Sequence, residues 1–183
     1  SLEQIREAAR ELIGHCGTDG FSMTMLAAKA GLSKPALYRY FPNKREILID
    51  LAKFVFDENK AMLSQHLVNV RPGYELDALI LTLTDYCKAQ NTEPYRRHLR
   101  AAMSADPSLV ELDLADSEEN AKFAALIFSD LLPDIQTDEL HRRLLILMNQ
   151  MEPFAKLASS RPENEQSDLI KTFATFCLAG LNA

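Results

Sequence analysis

The sequence is 183 residues long, 47% hydrophobic and 25% charged, with a formal net charge of −6. This is the balance of an ordinary soluble globule with one good core, or one core and a small helical appendage, and it excludes a large multidomain enzyme. The negative total argues against a polyanionic partner, but residues 1–45 carry seven Lys/Arg against four Asp/Glu, and residues 46–183 thirteen against twenty-two, so one basic end suits docking onto phosphate.

Apolar residues recur at intervals of three and four and β-branched residues never cluster in alternating runs, so the chain is expected to be all-α. Leu2, Ile5, Ala9, Leu12, Ile13 and Cys16 form one stripe of a first helix, which Gly17 and Gly20 end. Ser22 caps a short second helix, Phe21 and Leu26 form its hydrophobic staple, and Gly31 stops it. Ser33 repeats the arrangement for a third helix, with Leu32 and Leu37 as staple and Pro35 in the first turn. Pro42 ends that helix, and Asn43 with Glu46 opens a long fourth one reaching about His66. Arg71-Pro72-Gly73 is the next punctuation, followed by helices over about 76–90 and from Pro94 to Met103. Another is expected around 120–132, starting somewhere between Leu109 and Asp116, and two final helices over about 138–158 and 165–181. There is no internal repeat.

No apolar run approaches a bilayer span and the first residues mix charges, so neither a membrane partner nor a signal peptide is expected, and the expected location is cytoplasmic. Cys16, Cys87 and Cys177 lie far apart without CxxC spacing and read as small apolar core residues. His15, His66, His98 and His141 show no local metal spacing. No metal and no cofactor is therefore expected.

Residues 22–41 read as a helix, a turn at Gly31-Leu32-Ser33, and a second helix, a corner that lays its second helix in a DNA major groove. Burying Leu26, Ala27, Ala30, Leu37 and Phe41 leaves Lys34, Ala36, Tyr38 and Arg39 on the opposite side, with Pro35 beside them. Arg39 suits a bidentate contact with guanine, Lys34 a phosphate or base, and Tyr38 a phosphate or a thymine methyl. Ser22, Tyr40 and Lys44 can hold phosphates on the flanks, Ser22 beside helix N-terminal amides. Spacing alone also fits a helical module for a protein partner, and Tyr40 can instead cover the Leu37/Phe41 core. No enzyme is expected, and no catalytic residue is named: nucleophile–base pairs, glycine-rich phosphate loops and paired catalytic carboxylates are absent.

The run from Phe21 to Lys44, FSMTMLAAKAGLSKPALYRYFPNK, resembles the DNA-binding signature of the TetR family of transcriptional regulators. Gly31, Ser33, Leu37-Tyr38, Phe41 and Lys44 all fall in register. The resemblance implies base contacts from the third helix and phosphate contacts from Tyr38, Tyr40 and Lys44. It also implies a ligand cavity enclosed by the fourth to seventh helices, and a last helix pair that joins a second subunit. Family members often carry a basic arm ahead of the first helix, whereas this sequence opens almost directly in that helix, so arm contacts to the minor groove are either absent or made by residues outside it.

The expected organisation is a three-helix helix-turn-helix domain over 1–45 and a helical effector-binding and dimerisation domain over 46–183. In the last two helices Leu144, Met148, Met151, Phe173, Phe176 and Leu181 are the candidate dimer contacts, on stripes wide enough to face both a core and a twofold partner. Phe54, Met62, Tyr86, Arg100, Met103, Phe123 and Phe128 are candidate ligand contacts, with Tyr86, His98 or Arg100 supplying polarity. The expected partners are double-stranded DNA bearing a palindromic operator, a second copy of the chain, and a small-molecule effector that releases the DNA, so that the regulator represses.

Overall fold

The computed structural model describes residues 1–183 and contains nine α-helices and no strand: α1 (Leu2–Gly20), α2 (Met23–Lys29), α3 (Lys34–Tyr40), α4 (Lys44–Leu67), α5 (Glu75–Thr92), α6 (Pro94–Ala105), α7 (Pro107–Leu131), α8 (Thr137–Ser159) and α9 (Glu163–Asn182). No helix is long and apolar enough to cross a membrane. The expected elements are present, with two differences. Of the two glycines expected to end α1, Gly20 does end it, while Gly17 only breaks it, at φ +74°. α7 begins at Pro107, because the Asp106 carboxylate accepts the Ser108 amide at 3.0 Å and its hydroxyl at 2.7 Å. An acidic cap followed by proline in the first turn is a helix-start signal that the apolar spacing did not carry.

The helices form two compact units. The first comprises residues 1–57 and 92–111. Here α1 packs against α2 and α6, and α2 against α3. Ile5, Ile13, Leu26, Leu37, Ile47, Leu51 and Leu99 lose nearly all solvent contact, each burial stabilising the unit by about 1.5–3 kcal/mol. A β-carbon at Gly14 would stand 3.5 Å from the Tyr95 amide, an ordinary van der Waals contact, so the start of α6 lies directly against α1 here. Arg6 grips the Asp50 carboxylate through two N–H groups at 2.8 and 2.9 Å, joining α1 to α4. Arg45, at the start of α4, likewise donates to Asp106.

The second unit comprises residues 58–91 and 112–183. One apolar cluster gathers Leu63, Leu67, Phe128, Leu140, Leu144 and Leu181 around Ala121, Ala124 and Ala125, whose small side chains let neighbouring helices close on α7. The other joins Leu83, Tyr86 and Cys87 of α5 to Phe154, Ala158 and Ile170, with the Phe154 and Phe173 rings stacked at 4.1 Å. His66 meets Asp85 at 2.7 Å between α4 and α5, and Arg143 donates to the Leu181 carbonyl at 2.9 Å near the end of α9, where helix carbonyls lack partners. Two expected core cysteines, Cys87 and Cys177, are buried, and burial pushes each thiol up to about 11. Cys16 is instead exposed, its thiol donating to the Leu12 carbonyl at 3.1 Å; it sits at the edge of the α1 stripe, next to the Gly17 break.

Candidate nucleic-acid interface

The α2–α3 corner is built by local chemistry. Ser22 accepts the Met25 amide at 3.2 Å and Ser33 the Ala36 amide at 3.3 Å, so each short helix has a hydroxyl on its first turn where free N–H groups need acceptors. α2 ends in a reverse turn. The Leu32 amide reaches back to the Ala27 carbonyl at 2.9 Å and the Gly31 amide to Ala28 at 3.2 Å, and Gly31 takes φ +66°. That left-handed conformation is easy only without a β-carbon. Leu26, Ala27, Leu37 and Phe41 are buried as expected, while Ala30 is only half-buried because it is the residue at which the chain leaves α2.

With Leu37 fully inside, the rest of α3 faces out. Lys34, Pro35 and Arg39 are exposed, Ala36 is half-buried, and Tyr38 and Tyr40 keep 48% and 49% of their surface in solvent. Ser22 is exposed at the start of α2, and so is Thr24 two residues on. Sequence reasoning passed over Thr24, although a hydroxyl in a helix's first turn is a readable anion-site signal. Met25 is also exposed, at 43%.

Of the seven Lys/Arg in residues 1–45, five have partners within the chain. Arg6 holds Asp50, Arg10 holds Glu3 and Glu7, Lys29 pairs with Glu11, and Arg45 pairs with Asp106. The Lys44 ammonium donates to the Phe21 carbonyl at 3.1 Å and lies 4.6 Å from the centre of the Phe21 ring, which pins the start of α4 to the α1–α2 junction and uses one of its three donors. Only Lys34 and Arg39 have no ion pair or hydrogen bond to the chain, and both are exposed on α3. Their hydrogen-bonding capacity is open to phosphate oxygens and base edges.

Residues 5–51 match the model of the bacterial regulatory proteins of the tetR family, and residues 76–183 match that of the tetracyclin repressor-like C-terminal domain. The chain belongs to the TetR family. The family is one of DNA-binding transcription regulators without enzymatic activity, and this chain is one of them. The class A tetracycline repressor protein from transposon 1721 of Escherichia coli is 42% identical over 52 residues, 28% of this chain and 24% of that protein. The match therefore spans about a quarter of that curated relative's length. The TetR-family chain also superposes on a transcriptional regulator from Rhodococcus sp. Rha1 with a TM-score of 0.74 at 21% identity, covering 100% of this chain and 98% of that one. SmeT, the repressor of the Stenotrophomonas maltophilia multidrug efflux pump SmeDEF, gives a TM-score of 0.70 at 20% identity over 98% and 89% of the two chains. At such identities these likenesses establish the TetR-type fold.

The remaining candidates of this TetR-family chain do not converge on one place. Met62, Tyr86, Phe123 and Phe128 belong to the second unit, with Tyr86 and Phe128 buried in separate clusters. Phe54, Arg100 and Met103 belong to the first, where Phe54 lies under Arg10 at 5.0 Å, Arg100 lies 5.8 Å from the Phe56 ring, and Met103 is buried. His98 is exposed and faces Gly17. Of the dimer candidates, Leu144 and Leu181 are 2% and 0% exposed within their own unit, so they present no surface to a second subunit; the α8 stripe that carries Leu144 turns inward. Met148 and Met151 are half-buried on that inward side, Phe173 is half-buried against Phe154, and Phe176 projects with 71% of its surface free. Ile146 and Leu157, which the sequence stripe omitted, are exposed on α8 at 64% and 45%.

Proposed function

We propose that the chain represses transcription in the cytoplasm by binding a palindromic operator as a homodimer, and that a small-molecule effector lodged in its second unit releases it. The observation that carries the DNA contact is that the two unpaired cations of residues 1–45, Lys34 and Arg39, are both exposed on α3. Arg39 reads guanine through two parallel N–H groups, and Lys34 takes a phosphate or a base. Pro35 and Ala36 keep the first turn of α3 small enough to sit deep in the groove. Tyr38, Tyr40 and Ser22 hold phosphates on either side, and Lys44 adds one from its two spare donors.

The second subunit is proposed to cover Phe176 together with Ile146 and Leu157, with Phe173, Met148 and Met151 lying beneath that face. An exposed apolar set of this kind on paired helices suits a self-complementary interface. Twofold pairing would set two α3 helices about 34 Å apart, one turn of DNA. Release by a small molecule is supported by the fold shared with SmeT, a protein also known in complex with triclosan. Of the four candidate contacts in this unit, Phe128 lies on the wall of a cavity, while Met62 and Tyr86 belong to the other apolar cluster.

Selection of bound sites from random duplex DNA tests the reading. The expected product is an inverted repeat whose half-sites lie about one helical turn apart, and Arg39→Ala should relax base preference by about 1–3 kcal/mol per half-site. Recovery of no enriched sequence, or of one that Arg39→Ala binds as selectively as the parent, refutes it.

A further inference from the structure

The second unit encloses a cavity of about 40 Å³ bounded by α4, α5, α7, α8 and α9. Leu63, Leu83, Phe128, Leu144, Met148 and Met151 make up most of its wall. The one hydroxyl on it, Thr82, is already committed to the Ala78 carbonyl at 2.8 Å. The one thiol, Cys177, is held neutral by burial. No carboxylate, ammonium, guanidinium, imidazole or amide lines the wall. Gln90 Nε2 and Asn120 Oδ1, buried amide atoms of this unit without a hydrogen-bond partner, belong to residues outside it.

An occupant of such a space must give up its own hydration and finds a single acceptor in return, the Thr82 oxygen, too little to offset the desolvation of a charge. A charged or strongly polar group therefore cannot enter without a large penalty, while an apolar one loses nothing. Water gains little there either, since it needs two to four polar partners. The space is smaller than the ~150 Å³ apolar cavity known to admit benzene, so a ring can enter only if the wall yields. Met148 and Met151 supply that yield, being unbranched side chains with three rotatable bonds each.

We propose that this cavity is a binding site for an uncharged, apolar molecule of single-ring size, and that it rejects the anionic and cationic isosteres of the same ring. Its regulatory meaning rests on the reading above, in which an effector in the second unit releases DNA. Toluene, benzoate and benzylamine share one ring and differ in charge, and the full-length chain is tested with each by thermal unfolding without DNA. Toluene at several times its dissociation constant should raise Tm by about 3 °C, and the two charged probes should leave it unchanged. Leu147→Phe, which fills the space, should abolish the toluene shift. If that variant does not fold, Met151→Ala, which enlarges the space, must increase it. A larger shift with benzoate or benzylamine, no shift with toluene, or the same toluene shift in every variant overturns the proposal. Toluene binding that leaves the protein on its selected DNA site upholds the apolar site and counts against release by an effector.

Discussion

If Lys34 and Arg39 are the only cations of residues 1–45 without an intramolecular partner, the salt dependence of DNA binding should be shallow for a protein with seven Lys/Arg in that segment. Each phosphate neutralised releases counterions and steepens the dependence of log K on log salt by about 0.9. Two unpaired cations per subunit, with Arg39 displacing counterions from the groove phosphates beside the base it reads, give a slope of about −3.6 for a dimer, and about −5.4 if Lys44 also reaches a phosphate. Raising salt from ~50 to ~200 mM should then weaken binding by about 10²–10³-fold. Engagement of all seven would instead give a slope near −12.6. The assay is fluorescence anisotropy on the selected duplex across a salt series. Lys34→Gln should reduce the slope by about 1.8, one charge from each subunit, whereas Lys29→Gln should leave it unchanged because Lys29 already belongs to Glu11. A parent slope near the steep limit, or equal effects of the two substitutions, would refute the argument that internal pairing decides which cations are available.

Lys44→Gln removes a charge-assisted hydrogen bond and a cation–π contact, together worth about 2 kcal/mol; differential scanning calorimetry should show Tm falling by about 5 °C. Gly31→Ala meets open space but must hold φ +66°, so urea unfolding should report a loss of about 1 kcal/mol from backbone strain alone. The Asp106 carboxyl lies below the usual carboxylate range, first because the Ser108 hydroxyl and amide donate to it and then because Arg45 faces it. Its folded pKa being lower than its unfolded one, the stabilisation is complete at neutral pH and is lost as acid protonates it. Asp106→Asn should therefore flatten the fall of Tm between about pH 5 and 3, and an identical acid profile would contradict this assignment. Phe176→Asp should shift the protein toward monomer in sedimentation velocity and weaken operator binding, because a carboxylate cannot be buried unpaired against a twofold copy.

The corner at Ser22, Gly31 and Ser33 was legible because its causes are local. A hydroxyl before a helix, a glycine after it and a proline in a first turn act on their own neighbours within a few residues. The start of α7 carried the same type of signal at Asp106-Pro107 but was hidden by attention to apolar spacing, which is weak there. The availability of the cations was not legible at all. Arg6 finds Asp50 and Arg45 finds Asp106, partners 44 and 61 positions away, and nothing in the local sequence distinguishes those arginines from Arg39. Net charge over residues 1–45 therefore identified a basic segment, but only tertiary pairing reduces it to two exposed side chains on one helix.

The last helices illustrate a different limit. Leu140, Leu144, Met148 and Met151 recur at helical spacing, and such a stripe is the strongest feature of α8, yet it turns inward, onto the unit's own core and cavity. The outward stripe is Ile146, Pro153 and Leu157, broken by Arg142, Asn149 and Gln150. A helix with a core on one side and a partner on the other needs two apolar stripes, and the one that meets water before assembly must be the more polar of the two to keep the free subunit soluble. Periodicity consequently marks the core-facing stripe more strongly than the outward one whenever both exist. The same arrangement connects the two proposals about the second unit: an occupant that displaces Met148 or Met151 pushes on a helix whose opposite face carries Ile146 and Leu157.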